Sequence, residues 1–188
     1  EMYEALDSDF EFNAGGKIRI FLLQIISMLL QDYASPKYLS YLVPGALKKE
    51  KDATGIAQEV VLIPEGNSFI GHWEKAVSLA FQAMKYLQNP SVFGVVKEYF
   101  LPYKNMIPIL ALLLNEKQNA DNDIASIDKK IKIWYWSTVI TQNYSSSVDS
   151  KMTKDLQDMR KWFKDENAIP SVVLEAQSRI ESLDLTKE

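Results

Sequence analysis

An all-α fold, a single irregular bundle of about seven or eight helices, is what this sequence predicts, on three observations. Hydrophobic residues make up 47% of the 188 positions and charged residues 24%, the usage of a chain that buries a core. Gly and Pro number only seven each, few for the tight turns of a many-stranded fold. Apolar residues recur at three- and four-residue spacing along most of the chain, the period of a helix face. The length suits one well-buried domain or two small ones. Residues 1–16 read as the tail of a preceding domain or a linker, and 17–188 as the helical domain.

Residues 1–16 are acidic and close on FEFNAGG. The Phe10/Phe12 alternation suggests a strand end, and Gly15–Gly16 a turn into the first helix. Lys17 to Tyr33 is helical, with Ile18, Phe21, Leu22, Ile25, Ile26, Met28 and Leu29 covering more than one face. Pro36 starts a shorter helix through Leu42, and Pro44–Gly45 interrupts it. Lys48 to Asn67 carries the weakest signal. KKEKD is a solvated charge run, and QEVVLIPEGN holds a short β-like patch, so a long loop or an irregular excursion is expected.

Phe69 to Gln88 is the clearest amphipathic helix. Phe69, Trp73, Ala76, Val77, Ala80, Phe81, Met84 and Leu87 share one face, with Asn67 or Ser68 as N-cap and Asn89–Pro90 as the stop. Its solvated opposite face places it on the outside of the bundle. Ser91 to Phe100 reads as a further short helix. Tyr103 to Leu114 follows, with Pro108 at a first turn or a kink. NEKQNADND is a polar loop. In the helix from Ile127 to Tyr144, Ile131, Ile133, Trp134, Tyr135, Trp136, Val139, Ile140 and Tyr144 nearly encircle the axis, the pattern of a central helix. After SSSVDS, with Asp149 or Ser150 as cap, Met152, Leu156, Met159 and Phe163 stripe a helix that ends near Asn167. A last helix begins after Pro170, capped by Ser171, with Val172, Ala176, Ile180 and Leu183 as its face.

Composition excludes several chemistries. Zero Cys removes disulfides and thiolate catalysis, and suits a cytoplasmic protein. With one His, zinc sites built on His pairs and nucleases needing several His cannot be assembled. The acidic start (Glu1, Glu4, Asp7, Asp9, Glu11) is opposite in charge to the basic region of a signal peptide. The longest apolar run, Ile18 to Leu30, is interrupted by Arg19, Gln24 and Ser27 and falls short of the ~20 residues a membrane span needs. No membrane partner is expected.

Among the residues that could carry chemistry, His72 has no partner motif and reads as a surface or packing residue. Gly15–Gly16 lacks a phosphate-loop pattern, and Asp121, Asn122 and Asp123 lack the spacing of a calcium loop. No cofactor is implied. Net charge is −4, yet residues 129–164 carry eight Lys/Arg against three Asp. Lys129, Lys130, Lys151, Lys154, Arg160, Lys161 and Lys164 could form an outward basic strip along nucleic-acid phosphates. The competing reading is a solvated surface with intrahelical pairs such as Asp158 with Lys161. Trp134, Tyr135, Trp136, Tyr144, Trp162 and Phe163 could stack bases, although aromatics at helical spacing are more often core anchors.

Three blocks resemble a known family. FNAGGKIRIFLLQ is similar to the segment closing the N-terminal ParB/sulfiredoxin-like domain of GmrSD-type restriction proteins. FLPYKNMIPILALLL resembles their LPY…P-L-A-x-L-L block, and IKIWYWSTVITQNYSSSVDSKMTKDLQDM their K-W-(F/Y)-W-S…R-Y-S-x-S…D-L block. Asn143 departs from the Arg that commonly precedes the Tyr. The DGQQR-like motif of the nucleotide-dependent domain and the His-containing nuclease motif are both absent from the 188 residues. The resemblance therefore implies the central helical region of a modification-dependent restriction or phage-defence protein, without either catalytic part, and no catalytic residue carries over. The expected role is a non-catalytic helical domain that couples or positions the nucleotide-hydrolysing and nuclease domains flanking it in a parent protein. The alternatives are a DNA-binding helical module using the basic strip, and a protein-interaction or homo-oligomerisation module using the helix at Ile18 to Leu30.

Overall fold

A computed structural model describes residues 17–52, 54–120 and 124–183. The expectations for the acidic tail, for Gly15–Gly16 and for Asp121 to Asp123 lie outside these residues. The described chain is mostly helical. Helix α1 spans Lys17–Gln31 and is followed by a 3₁₀ segment at Pro36–Leu42. Strands β1 (Leu47–Lys51) and β2 (Ala57–Val61) precede α2 (Gly66–Gln88). A 3₁₀ turn at Glu98–Phe100 leads to α3 (Met106–Gln118) and α4 (Ile124–Thr141). A second short 3₁₀ turn, Asn143–Ser145, joins α4 to α5 (Val148–Lys164), and α6 covers Ser171–Ser182.

The central helix is α3, not the helix that follows it. Every residue from Met106 to Leu114 is buried, and α3 packs against α1, α2, α4 and α5. Nine apolar residues in succession leave no polar face, so only a helix walled in on all sides satisfies them. Pro108 occupies the first turn of α3, where its missing N–H is not required. Helix α4 is less enclosed than its sequence suggests. It packs along α6 and against α3, but Trp136 is 53% exposed and Ile140 39%.

Helix α1 buries Ile18, Phe21, Leu22, Ile25, Ile26 and Met28 against its neighbours α2 and α3. The face expected to remain for a partner is thus largely filled from within the chain. On α2, Ala76, Val77, Ala80, Met84 and Leu87 are buried as the periodicity predicts, with Leu79 and Ala83 added because two helices pack there. The helix starts earlier than expected: Glu65 holds the N-cap position and its carbonyl accepts from Phe69 N–H at 3.2 Å.

The uncertain region after Lys48 is an antiparallel hairpin, with Leu47 opposite Val61 and Lys51 opposite Ala57. Asp52 nucleates its turn. One carboxylate oxygen accepts from Thr54 N–H at 2.8 Å, Thr54 Oγ1 at 2.6 Å and Ile56 N–H at 3.0 Å, while Gly55 takes a φ of +86°. Such local bonds favour a turn over a helix.

Three further expectations change. Ser91 to Phe100 is a turn-rich connection with a single 3₁₀ turn, since Asn89 O accepts from Val92, Phe93 and Gly94 N–H and closes the chain on itself. Ser147, not Asp149 or Ser150, is the N-cap of α5, which ends at Lys164. On α6, Val172, Val173 and Ala176 are buried, whereas Ile180 and Leu183 are exposed beyond the packed part of the helix. Among the described residues no single helix is long and apolar enough to cross a membrane; α1 and the 3₁₀ segment after it reach that length only together, bent by 76°.

Candidate functional site

The residues of the third block converge on one buried carboxylate. Asp155 lies on the apolar stripe of α5, between Met152 and Met159, and is 4% exposed. Its Oδ2 accepts from Trp134 Nε1 at 3.0 Å, Asn143 Nδ2 at 3.0 Å and Tyr144 OH at 2.8 Å. The connection between α4 and α5 makes this possible. Gln142 and Ser147 both take left-handed φ (52° and 51°), and between them the 3₁₀ turn carries Asn143 and Tyr144 to the carboxylate. Left-handed conformation costs a non-Gly residue about 1 kcal/mol, so the surroundings must hold it in place. Burial pushes the Asp155 carboxyl above the usual carboxylate range, against the pull of the three hydrogen bonds. Burial, with Asp155 beside it, raises the Tyr144 phenol well above its ordinary value. All three donors are neutral groups that tie α5 to α4 and to the turn joining them, while the charge of Lys154 also pulls the carboxyl downward.

A second carboxylate sits where α2, α3 and α4 meet. Asp128 accepts from Tyr86 OH at 2.8 Å, is hydrogen-bonded by the Lys117 ammonium, and pairs with Lys132 at 2.9 Å. Burial alone would raise its carboxyl, but the bonds from Lys117, Lys132 and Tyr86 outweigh it and bring the pKa down to about 2. Desolvation, and then Asp128, push the Tyr86 phenol upward. Lys117 also lies 5.6 Å from the Tyr86 ring centroid.

The expected basic strip is not one surface. Lys130 is only 5% exposed. Its ammonium donates to Trp162 O at 2.7 Å, pairs with Glu166 at 2.8 Å and lies 5.4 Å from the Trp162 ring centroid. It therefore ties α4 to the negative C-terminal end of α5 instead of facing solvent. Its spacing carried the signal: Lys130 stands three residues after Ile127 and four before Trp134, on the face those two bury. Arg160 bridges elements: its Nε donates to Glu116 at 2.8 Å on α3, and its Nη1 pairs with Asp32 just beyond α1. Asp158 takes Lys154 at 2.9 Å and Lys161 at 3.9 Å, the intrahelical pairing weighed against the strip. Lys154 also donates to Ser171 Oγ at the start of α6. Lys129, Lys151 and Lys164 make no ion pair among the described residues. Lys151 and Lys164 stand at opposite ends of α5, roughly 20 Å apart at 1.5 Å per residue.

Of the aromatics, Trp134, Tyr135, Tyr144 and Trp162 are core residues and Phe163 is partly buried against the core. Trp136 is the one that turns outward, edge-on to Phe93, whose ring stacks on Tyr135 with centroids 3.8 Å apart. His72 is half-buried on α2 and makes no hydrogen bond or ion pair among the described residues. No group of three His, Cys, Asp or Glu side chains is placed to hold a metal among those residues. The Asp128 cluster was not anticipated. Only its Asp128–Lys132 spacing is a sequence signal, because Tyr86 and Lys117 come from other helices.

No family model matches the chain, and no solved structure matches it. An uncharacterized protein of Methanocaldococcus jannaschii is 34% identical over 119 residues, which is 60% of this chain and 19% of that protein. The chain thus spans about a fifth of the length of the curated relative it matches.

Proposed function

We propose that this chain is a non-catalytic helical module of a modification-dependent restriction or defence protein, coupling or positioning the nucleotide-hydrolysing and nuclease domains of its parent. One observation supports this above the others. Trp134, Tyr144 and Asp155 all lie within the block that carries the resemblance to GmrSD-type proteins, and all three meet at a single buried point, which Asn143 joins from the position where that family commonly has Arg. The spacing W…Y…D is thereby accounted for as an architectural device that fixes α4 against α5. The partial match to a much longer archaeal protein accords with a module inside a larger chain. The test is direct: nucleotide hydrolysis and DNA cleavage are assayed on this chain against a matched blank. Neither rate should exceed the blank, and turnover that tracks the purified chain would sink the reading.

The DNA-binding reading keeps a narrower footing in Lys129, Lys151 and Lys164. It predicts duplex or single-strand binding that weakens steeply with salt and is lost when these charges are reversed together. Absence of any shift at low salt eliminates it.

A further inference from the structure

Three polar ties join α1 and the residues after it to α5. Gln24 Nε2 donates to Asp149 Oδ1 at 3.2 Å, Ala34 N–H donates to Thr153 Oγ1 at 3.2 Å, and Asp32 pairs with Arg160. A cleft of about 270 Å³ opens along the same seam, with Tyr33, Lys37 and Tyr38 on one side and Asp149 and Thr153 on the other. We propose that Asp149 carries a proton when this seam is closed and donates a hydrogen bond from Oδ2 to Gln24 Oε1, so that loss of the proton to solvent loosens the seam. The carboxyl and the amide then face each other as a two-point acid–amide pair, a latch that holds only while the proton is present. This inference goes beyond the coupling role and does not rest on it.

The geometry of Gln24 carries the argument. Its side chain is buried, and Nε2 also donates to Ala34 O at 3.0 Å. A backbone carbonyl only accepts, so that bond fixes which end of the amide is the NH₂ group. Both amide hydrogens are then used, and Oε1 is left buried with no donor among the described residues. A buried carbonyl oxygen without a donor is costly, so a donor belongs within reach of it. The group in contact with this amide that gains a donor by taking up a proton is the Asp149 carboxyl, whose Oδ2 accepts no hydrogen bond among the described residues. The hydroxyls of Ser27 and Thr153 are engaged elsewhere, on Tyr33 O at 2.6 Å and Asp149 O at 3.0 Å. Burial raises the Asp149 carboxyl above its ordinary value, against the pull of the Gln24 bond, which is the direction a retained proton requires. Tyr33, Lys37 and Tyr38 face it across the cleft, and Asp149 is the one carboxyl on the cleft wall. On α5 itself Lys151 and Lys154 follow, the latter paired with Asp158. At the start of α3, Lys104 stands beside Asn105, whose amide reaches Met152 Sδ at 3.9 Å, and the turn before α5 brings Tyr144, which is bonded to Asp155. With a folded value above 3.8, the latch is complete below 3.8 and is lost as pH rises through the folded value.

The experiment titrates the full chain, labelled with ¹³C and ¹⁵N, from acid to neutral pH. The Asp149 carboxyl signal should turn over above 3.8, and the Gln24 side-chain carbonyl and amide signals should move with the same midpoint as the pair breaks. Exchange of the Ala34 N–H, which bonds to Thr153 across the seam, should accelerate by about threefold or more above that midpoint, once the base-catalysed rise in intrinsic exchange is divided out. Asp149→Asn supplies a permanent N–H donor of the same shape. It should hold the Gln24 signals still across the range and keep Ala34 exchange at its acid-side level. Asp155 titrates in both proteins, so the comparison cancels its contribution. A turnover of Asp149 at or below 3.8 overturns the proposal. So does a Gln24 side chain that stays silent while Asp149 titrates, or Ala34 exchange that rises equally in Asp149→Asn.

Discussion

Asp128 and Asp155 each gather three donors, and the two carboxyls are driven in opposite directions. Asp155 is buried among neutral donors, and desolvation prevails: its carboxyl rises above the ordinary value of 3.8. Asp128 is half-buried beside two ammonium groups, and their bonds prevail over desolvation: its carboxyl falls to about 2. Hydrogen-bond count does not separate them. Depth of burial and the charge of the donors do: Asp155 is the more deeply buried, and its neutral donors stabilise an anion less than the ammonium groups beside Asp128 can. The outcome divides the bundle into an interior that tolerates a carboxyl as an architectural acceptor and a rim that accumulates positive charge around one.

The largest expected effect is at the interior site. Asp155→Ala leaves Trp134 Nε1, Asn143 Nδ2 and Tyr144 OH without their common acceptor, at about 3 kcal/mol or more for buried donors lost together. Urea denaturation followed by circular dichroism checks it, and a loss below about 1 kcal/mol would show that the cluster relaxes or takes in water. Lys130→Ala should come next, at about 2 kcal/mol, since it removes a buried stem and strips Trp162 O of its donor. Lys130→Met keeps the stem and should recover part of that loss in the same assay.

Asn143→Arg tests the comparison most directly, because it installs the residue that the resembled family commonly carries and places a cation beside Asp155. As the protein stands, folded Asp155 holds its proton more tightly than the unfolded chain does. Its contribution is therefore complete below 3.8 and is lost as pH rises through the raised folded value. A guanidinium should lower the folded value: the loss of stability above 3.8 then disappears, and once the folded value lies below 3.8 stability rises with pH below that point instead. Stability measured from pH 3 to 7, with the carboxyl ¹³C shift followed in parallel, reads the change. An unchanged slope would mean that the Arg side chain leaves for solvent.

Asp128 has the opposite sign already. Its contribution is complete above 3.8 and is lost as pH falls through about 2. Asp128→Asn should flatten that acid limb at a cost on the order of 1 kcal/mol at neutral pH, after solvent screening at the rim. The smallest effect belongs to the outer face of α5. Lys161 is exposed and 3.9 Å from Asp158, so Lys161→Ala should shift stability by less than about 0.5 kcal/mol.

Much of the fold was legible in the sequence because helix signals are local. The face of α2, the stop at Asn89–Pro90, the first-turn place of Pro108 and the start of α6 after Pro170 follow from spacing and backbone chemistry within a few residues. The hairpin was harder to read, since LKKEK has no clean alternation and its pairing partner lies ten residues on. Two of the buried polar residues were partly visible; the Asp128 cluster was not. Asp155 and Lys130 each stand at helical spacing among buried apolar residues, a pattern that marks a polar group with an interior partner.

By itself, then, the sequence determined where helices form and which residues each one must bury, because periodicity and caps act over one or two turns. Tertiary structure alone decided what those buried faces meet. It made α3 the centre instead of α4, since enclosure depends on how many neighbours surround a helix and not on its own composition. It turned Lys130 inward to Trp162 and left Lys129 outside, although the two are adjacent. It also brought Tyr86, Lys117 and Asp128 together from three helices, where the distance through space bears no relation to separation along the chain.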